Sequence, residues 1–179
     1  MKVKNYREEI SVPEGTIAHV SDTMISITKG KATQKREFRD PRLSLKVENN
    51  MILLEVPKMT KKEKMLAGTI AAHIKNMIKG VNQQYVYKLK ICSGHFPMNI
   101  TLAGKQFSVK NYVGEKVPRV LEIMDGVEIK IDGNDITVTS VDKESAGQTA
   151  GAIELLCRRP GFDTRIFQQG IYIIEKPGK

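Results

Sequence analysis

The chain repeats itself, and that restricts its fold more than any other feature. Laying residues 82–179 over residues 1–81 brings Pro97 onto Pro13, and Val127, Ile129 and Ile131 onto Leu43, Leu45 and Val47, at one offset of 84. The turn Asp132, Gly133, Asn134 falls on Glu48, Asn49, Asn50. After a short gap, Ala146 and Gly147 fall on Ala67 and Gly68. Each half reads as four short strands followed by a helix. Such a pattern implies an α+β fold of two tandem similar domains, each a mostly antiparallel β-sheet packed against one helix. We place the domains at residues 1–81 and 82–179, with the boundary between Gly80 and Gln83.

The local reading supports this. Leu43, Leu45 and Val47 alternate with Ser44 and Lys46, and the turn at 48–50 leads into residues 51–56, which makes a hairpin. Tyr85, Tyr87, Leu89 and Ile91 alternate with Val86, Lys88 and Lys90 in the same way. Shorter strands are expected at 16–20, 24–28, 100–102, 107–109, 117–123 and 136–140, an extended segment at 32–38, and a polar lead before Val12. Thr60 and Glu63 form a capping box. The helix they start is expected to reach about Lys79, with Leu66, Ile70, Ile74, Met77 and Ile78 on one face and Gly80 as its stop. A second helix runs from about Lys143 to Cys157 with Ala146, Ala150, Ile153 and Cys157 inward. Gly68, Ala71, Gly147 and Gly151 would let each helix approach its sheet closely.

Charge narrows the partners. The chain carries 29 Lys and Arg against 20 Asp and Glu, a net charge of +9 in 179 residues. Neither a low-complexity tail nor a long lysine run is present, so the excess belongs to folded surfaces. That points to a polyanion, most commonly nucleic acid. An anionic membrane fits less well, because no helix combines a basic face with aromatic anchors. The second half looks nearly neutral, with thirteen bases against eleven acids. Its acids gather between 122 and 135 while its terminus is basic, so we expect a polarised domain. Without an apolar leader or an apolar run near eighteen residues, a cytosolic protein is expected. Cys92 and Cys157 have apolar neighbours and read as reduced thiols rather than a disulfide.

No catalytic constellation emerges. There is no Gly-rich phosphate loop ending in Lys-Ser/Thr, and Gly147 and Gly151 lie within a helix. His19, His73 and His95 are far apart and lack metal-ligand spacing, so neither a metal nor a cofactor is expected. Asp132 and Asp135 flank a hairpin turn, and neither cysteine has an activator. The chain reads as a non-enzyme. Lys29, Lys31, Lys35, Arg36, Arg39 and Arg42 cluster in the first domain, but Glu37 and Asp40 interrupt them, which suits a solvated face as well as a phosphate surface. His95 and Phe96, beside Ser93 and Gly94, either stack on a base or pack on a neighbour. Residues 158–179 hold Arg158, Arg159, Phe162, Arg165, Phe167, Gln168 and Lys176. Guanidinium forks match phosphate geometry and rings stack on exposed bases. A solvated basic tail is the plain alternative for that segment alone. The dipole of the preceding helix accounts for one arginine there, but not for three with two phenylalanines.

The repeat, the stretch YVYKLKI…SGHFP and the terminal RIFQQGIYI resemble the large-subunit ribosomal protein L-six family, in its archaeal and eukaryotic branch (eukaryotic L-nine). The likeness spans essentially the whole chain. Gln148, Arg158, Arg165, Phe167, Gly170, Ile171 and Tyr172 fall where the family pattern wants them, whereas Gln169 stands where related proteins usually carry Asp. The resemblance implies a structural, rRNA-binding constituent of the large ribosomal subunit. Its C-terminal domain would make the main contact to the last domain of 23S-type rRNA. That places it near the sarcin–ricin loop and the surface where translational GTPases dock, among neighbouring ribosomal proteins. The rRNA contacts so implied are Arg158, Arg159, Phe162, Arg165, Phe167, Gln168 and Lys176, with Ser93, Gly94 and His95 in a second loop. The competing class is a cytosolic protein–protein adaptor built of two α+β repeats. Neither reading calls for a membrane or a small-molecule substrate.

Overall fold

Alternating apolar residues build two units, Met1–Gln84 and Tyr85–Lys179. The computed structural model describes residues 6–21, 23–38, 43–48, 50–57, 60–163 and 165–178. Asp22, the 39–42 loop and Asn49 therefore lie outside the described residues. The first unit runs β1 (Tyr6–Ser11), β2 (Ile17–Ser21), β3 (Met24–Lys29), β4 (Ala32–Glu37), β5 (Ser44–Glu48), β6 (Met51–Val56) and α1 (Lys61–Asn82). The second runs β7 (Tyr85–Ser93), β8 (Asn99–Ala103), β9 (Gln106–Lys110), a 3-10 turn (Tyr112–Gly114), β10 (Arg119–Glu122), β11 (Val127–Asp132), β12 (Asp135–Ser140), α2 (Lys143–Leu156) and β13 (Gln169–Glu175). The fold is thus tandem α+β, with a helix and antiparallel sheets in each unit.

Each unit divides its strands between two sheets. The orders are β1-β6-β5 and β2-β3-β4 in the first, and β11-β12-β7-β13 and β10-β9-β8 in the second. The expected polar lead is in fact strand β1, paired from Tyr6 opposite Val56 to Ser11 opposite Met51. Its alternation is faint because only Ile10 is fully buried.

The duplication reaches individual hydrogen bonds. Val12 N–H donates to Asn50 O at 3.0 Å, and Ile91 N–H donates to Asn134 O at 2.8 Å. β1 stops at Ser11, opposite the first residue of β6, and Lys90 holds the equivalent place opposite Asp135 of β12. There the copies part. β7 continues through Ile91 and Cys92 to Ser93, and β13 supplies the partners Ile171, Gly170 and Gln169.

Thr60 N–H donates to the Glu63 carboxylate at 2.6 Å, the return bond of the capping box. α1 passes through Gly80, which is buried within it, and ends at Asn82. Asn82 Nδ2 donates to Ile78 O at 2.7 Å and Gln83 N–H to Lys79 O at 2.8 Å, so these residues close the helix where a glycine stop was expected. The buried face holds Ala67, Ile70, Ala71, Ile74, Met77, Ile78 and Val81, while Leu66 is exposed. In the second unit one core draws Leu89 and Ile136 from one sheet, Phe107 and Val109 from the other, and Ile153 from α2, with Ile171 of β13 closing it. Each such side chain contributes about 1.5–3 kcal/mol by leaving water. Asp142 caps α2, accepting from Glu144 N–H and Ser145 N–H at 3.2 Å each. Cys157 and Cys92 are free thiols, and burial pushes the Cys157 thiol up to about 11.

Gly147 is a close-approach glycine, since a Cβ there would sit 3.0 Å from the Tyr87 hydroxyl oxygen. Gly68 and Gly151 face open space. Gly68→Ala should therefore stabilise the protein by about 0.5–1 kcal/mol through helix propensity. Gly147→Ala should show none of that gain, because the methyl meets Tyr87. Urea unfolding midpoints compare the two, and equal gains would contradict the close packing of α2 on β7.

Candidate nucleic-acid interface

The extra length of β7 and β13 ends in a polar clamp. Ser93 pairs with Gln169, whose side chain is turned inward and 4% exposed. Its Oε1 accepts from His95 N–H and Phe96 N–H at 3.3 Å each, and its Nε2 donates to Phe96 O at 2.7 Å. Gly94 lies beside the residue that precedes β13, where a Cβ would make an ordinary contact 3.6 Å from the Gln168 carbonyl oxygen. The clamp sets His95 flat on Phe167, with ring centres 4.5 Å apart and planes within 1°. Phe162 is tilted against Phe167 with ring centres 5.1 Å apart, and the Arg159 guanidinium lies 4.8 Å over Phe162. Four planar groups from two distant segments thus form one run.

Asp163 gathers its described neighbours by hydrogen bonds. Asp163 O accepts from Ile166 N–H at 3.1 Å and Phe167 N–H at 2.8 Å, and its carboxylate accepts from Arg165 N–H at 2.9 Å. The Arg165 guanidinium also pairs with Asp163 at 2.8 Å, which holds that carboxyl below its ordinary value. Arg165 itself is 88% exposed, so solvent screens the pair and it yields readily to a stronger anion.

A second network closes the end of α2. Arg119 Nη1 donates to Leu156 O at 2.6 Å and more weakly to Arg158 O at 3.4 Å. Its Nε and Nη2 donate to the Glu115 carboxylate at 2.8 and 2.7 Å, and the guanidinium lies 4.3 Å over the Tyr112 ring. Tyr112 O–H donates to Cys157 O. The last helix carbonyls, which would otherwise draw a cation from nearby, are thereby satisfied. Arg158 and Arg159 are left exposed and unpaired with any carboxylate among the described residues. Beside this network Val113 has φ 50°, a strained value for a β-branched residue. Burial of Tyr112 and a 2.9 Å bond from Asn111 Nδ2 to Pro97 O hold it there.

The family model described as ribosomal protein L6 matches residues 12–84 and 96–170, one match in each unit. The chain belongs to the ribosomal protein L6 family. Among L6 relatives, it is 41% identical over 173 residues to the large ribosomal subunit protein uL6 of Methanococcus vannielii, covering 97% of this chain and 95% of that protein. It is 36% identical over 174 residues to uL6 of Methanosarcina mazei, covering 97% and 99%. The resemblance read from the sequence is borne out, and with it the reading of a non-enzyme, since the family is one of ribosomal proteins.

Within this L6 fold the residues singled out from sequence do not all come together. Ser93, Gly94, His95, Phe162, Phe167, Gln168, Arg158, Arg159 and Arg165 gather around the clamp. Lys176 does not: it follows the far end of β13, beside the Lys88–Glu175 ion pair, about 20 Å along the strand from Gln169. In the first unit Lys35 and Arg36 lie on β4, and Arg36 sits 5.6 Å over Phe38; Arg39 and Arg42 lie outside the described residues. In the second unit Glu128 and Asp132 lie on β11, at the opposite edge of the four-stranded sheet from β13, while Arg158, Arg159 and Arg165 precede β13 and Lys176 follows it. Among the described residues no His, Cys, Asp and Glu cluster suits a metal, and no helix is long and apolar enough to cross a membrane. Sequence reading missed Arg119, Tyr112 and Glu115. Their one signal was the four-residue spacing of Glu115 and Arg119, which carries weight only on a helix, and this segment is not helical.

Gln169→Ala should leave three backbone groups of residues 95 and 96 without partners and cost about 1–3 kcal/mol. Faster amide exchange at His95 and Phe96 would show it, and unchanged exchange would contradict the clamp. Glu115 offers a pH test. Arg119 holds its carboxyl below the ordinary 4.5, so as pH falls the unfolded chain takes up the proton first. The stabilisation is present above about pH 4.5 and drains away below it. Arg119→Gln should flatten the acid limb of a stability–pH profile in that window, and a parallel profile would rule the coupling out.

Proposed function

We propose that the chain is a structural constituent of the large ribosomal subunit that binds large-subunit rRNA through its second unit, Tyr85–Lys179. The observation that carries this is the run His95–Phe167–Phe162–Arg159 flanked by unpaired Arg158 and weakly paired Arg165. It supports RNA over a protein partner because it offers guanidinium groups to phosphates beside ring faces for bases. The names of its relatives, large ribosomal subunit proteins, agree with it. The family resemblance adds the last domain of 23S-type rRNA as the target, near the sarcin–ricin loop and the docking surface of translational GTPases, in the cytoplasmic ribosome.

The action is mechanical. Arginines bridge phosphates of neighbouring RNA segments, release counterions and fix the segments in place. Specificity comes from RNA shape and a few unstacked bases, because side chains cannot read the deep A-form major groove. The first unit lacks the extended β7–β13 edge and acts as a spacer or protein-facing module.

Arg158→Ala combined with Arg165→Ala should weaken binding to large-subunit rRNA. It should also flatten the log–log salt dependence by roughly two units. Filter binding across a salt series reads both. An unchanged slope would overturn the assignment, and migration of the protein free of ribosomes on a sucrose gradient would favour an adaptor.

A further inference from the structure

Between the 158–162 segment and β13 lies a cleft of about 800 Å³, within the roughly 300–1,000 Å³ range of sites that hold small ligands. Tyr112, Leu155, Phe162 and Tyr172 give it apolar and ring surface, and Arg158 and Arg159 stand at its rim. Leu155, on the side of α2 away from Ala146, Ala150 and Ile153, is 61% exposed, and Phe162 is 43% exposed. The core does not use these side chains. The one carboxylate among the described lining residues, Glu154, accepts from Ile173 N–H at 3.1 Å and is occupied by the backbone of β13.

We infer that this cleft receives a single unstacked nucleotide of the bound RNA, its base against exposed Leu155 and the edge of Phe162, whose ring face Arg159 covers, and its phosphate on Arg158 and Arg159. The inference rests on the RNA-binding reading above and names a subsite within it. Charge and shape select the occupant. Two exposed guanidinium groups with no salt bridge among the described residues call for an anion, and a ring-walled cleft calls for a flat, partly apolar body attached to it. A paired base cannot enter, since its faces are already stacked in the helix. The nucleotide therefore comes from a loop, bulge or strand end, where exposing a base costs least.

The test uses the full chain and transcribed large-subunit rRNA. Leu155→Trp fills the cleft from an exposed position, so the unfolding midpoint serves as its folding control. It should weaken binding roughly 5- to 150-fold, the loss expected for one stacked base, with the salt slope unchanged. Phe162→Ala should act alike and Phe162→Tyr should restore binding. In the wild-type complex one nucleotide should be shielded at its base from dimethyl sulfate or carbodiimide while its 2′-hydroxyl becomes easier to acylate. Leu155→Trp should abolish that signature. Wild-type affinity of Leu155→Trp, with no such nucleotide, overturns the cleft as a base site. If Arg158→Ala with Arg159→Ala still flattens the slope in that case, RNA binding stands without it. If the slope also stays the same, both readings fall.

Discussion

After α2 the chain returns along β7 as β13, and the backbone hydrogen bonds of that pairing hold the rest of the site in place. An unpaired strand edge is a liability in any sheet. Here β13 covers the edge of β7 and buries Ile171 against Leu89 and Ile136 in the core. Its first residue, Gln169, then reaches back to the 95–96 backbone. Residues 158–168 are therefore held at both ends, by α2 and by β13. Without that anchorage they would be the solvated basic tail that their composition alone permits.

The internal duplication separates scaffold from function. Both units share hairpins, the helix and even the hydrogen bond from Val12 or Ile91 to the turn asparagine. What the second copy adds is three residues of β7, the 157–168 segment and β13. The ring run, the clamp and the arginines lie on or beside these additions. A fold does not imply a function, and here two copies of one fold carry different surfaces.

Arg119 shows how a cation can serve other cations. It satisfies the carbonyls at the end of α2, pairs with Glu115 and stacks on Tyr112. The partial negative charge of the helix end is met by a residue from another element. The neighbouring Arg158 and Arg159 then remain available to an outside anion. The strained backbone at Val113 is held within the same network.

Much of this was legible in the chain. The hairpin of β5 and β6 and its copy in β11 and β12 follow from alternation and turn residues, because strand period and turn geometry are local properties of the backbone. The helix faces were legible for the same reason, apart from Leu66, whose place on the stripe depends on what lies opposite. The concentration of arginines and rings in 158–167 could also be read, and the family pattern with it. β1 was hidden because a strand with one buried residue has almost no period. Gly80 misled because a glycine stops a helix only if the chain turns there, and Asn82 supplied its own closing bond. Gln169, a departure in sequence, proved to be the clamp. Arg119 and Lys176 exchanged importance, one drawn to the helix end from 37 residues away and the other left at the distant end of β13. The sequence by itself determined two α+β repeats and a basic, aromatic terminus, since those rest on local periodicity and composition. Only the tertiary structure decided which side chains meet, because the pairing of β13 with β7 sets that across more than seventy residues of chain.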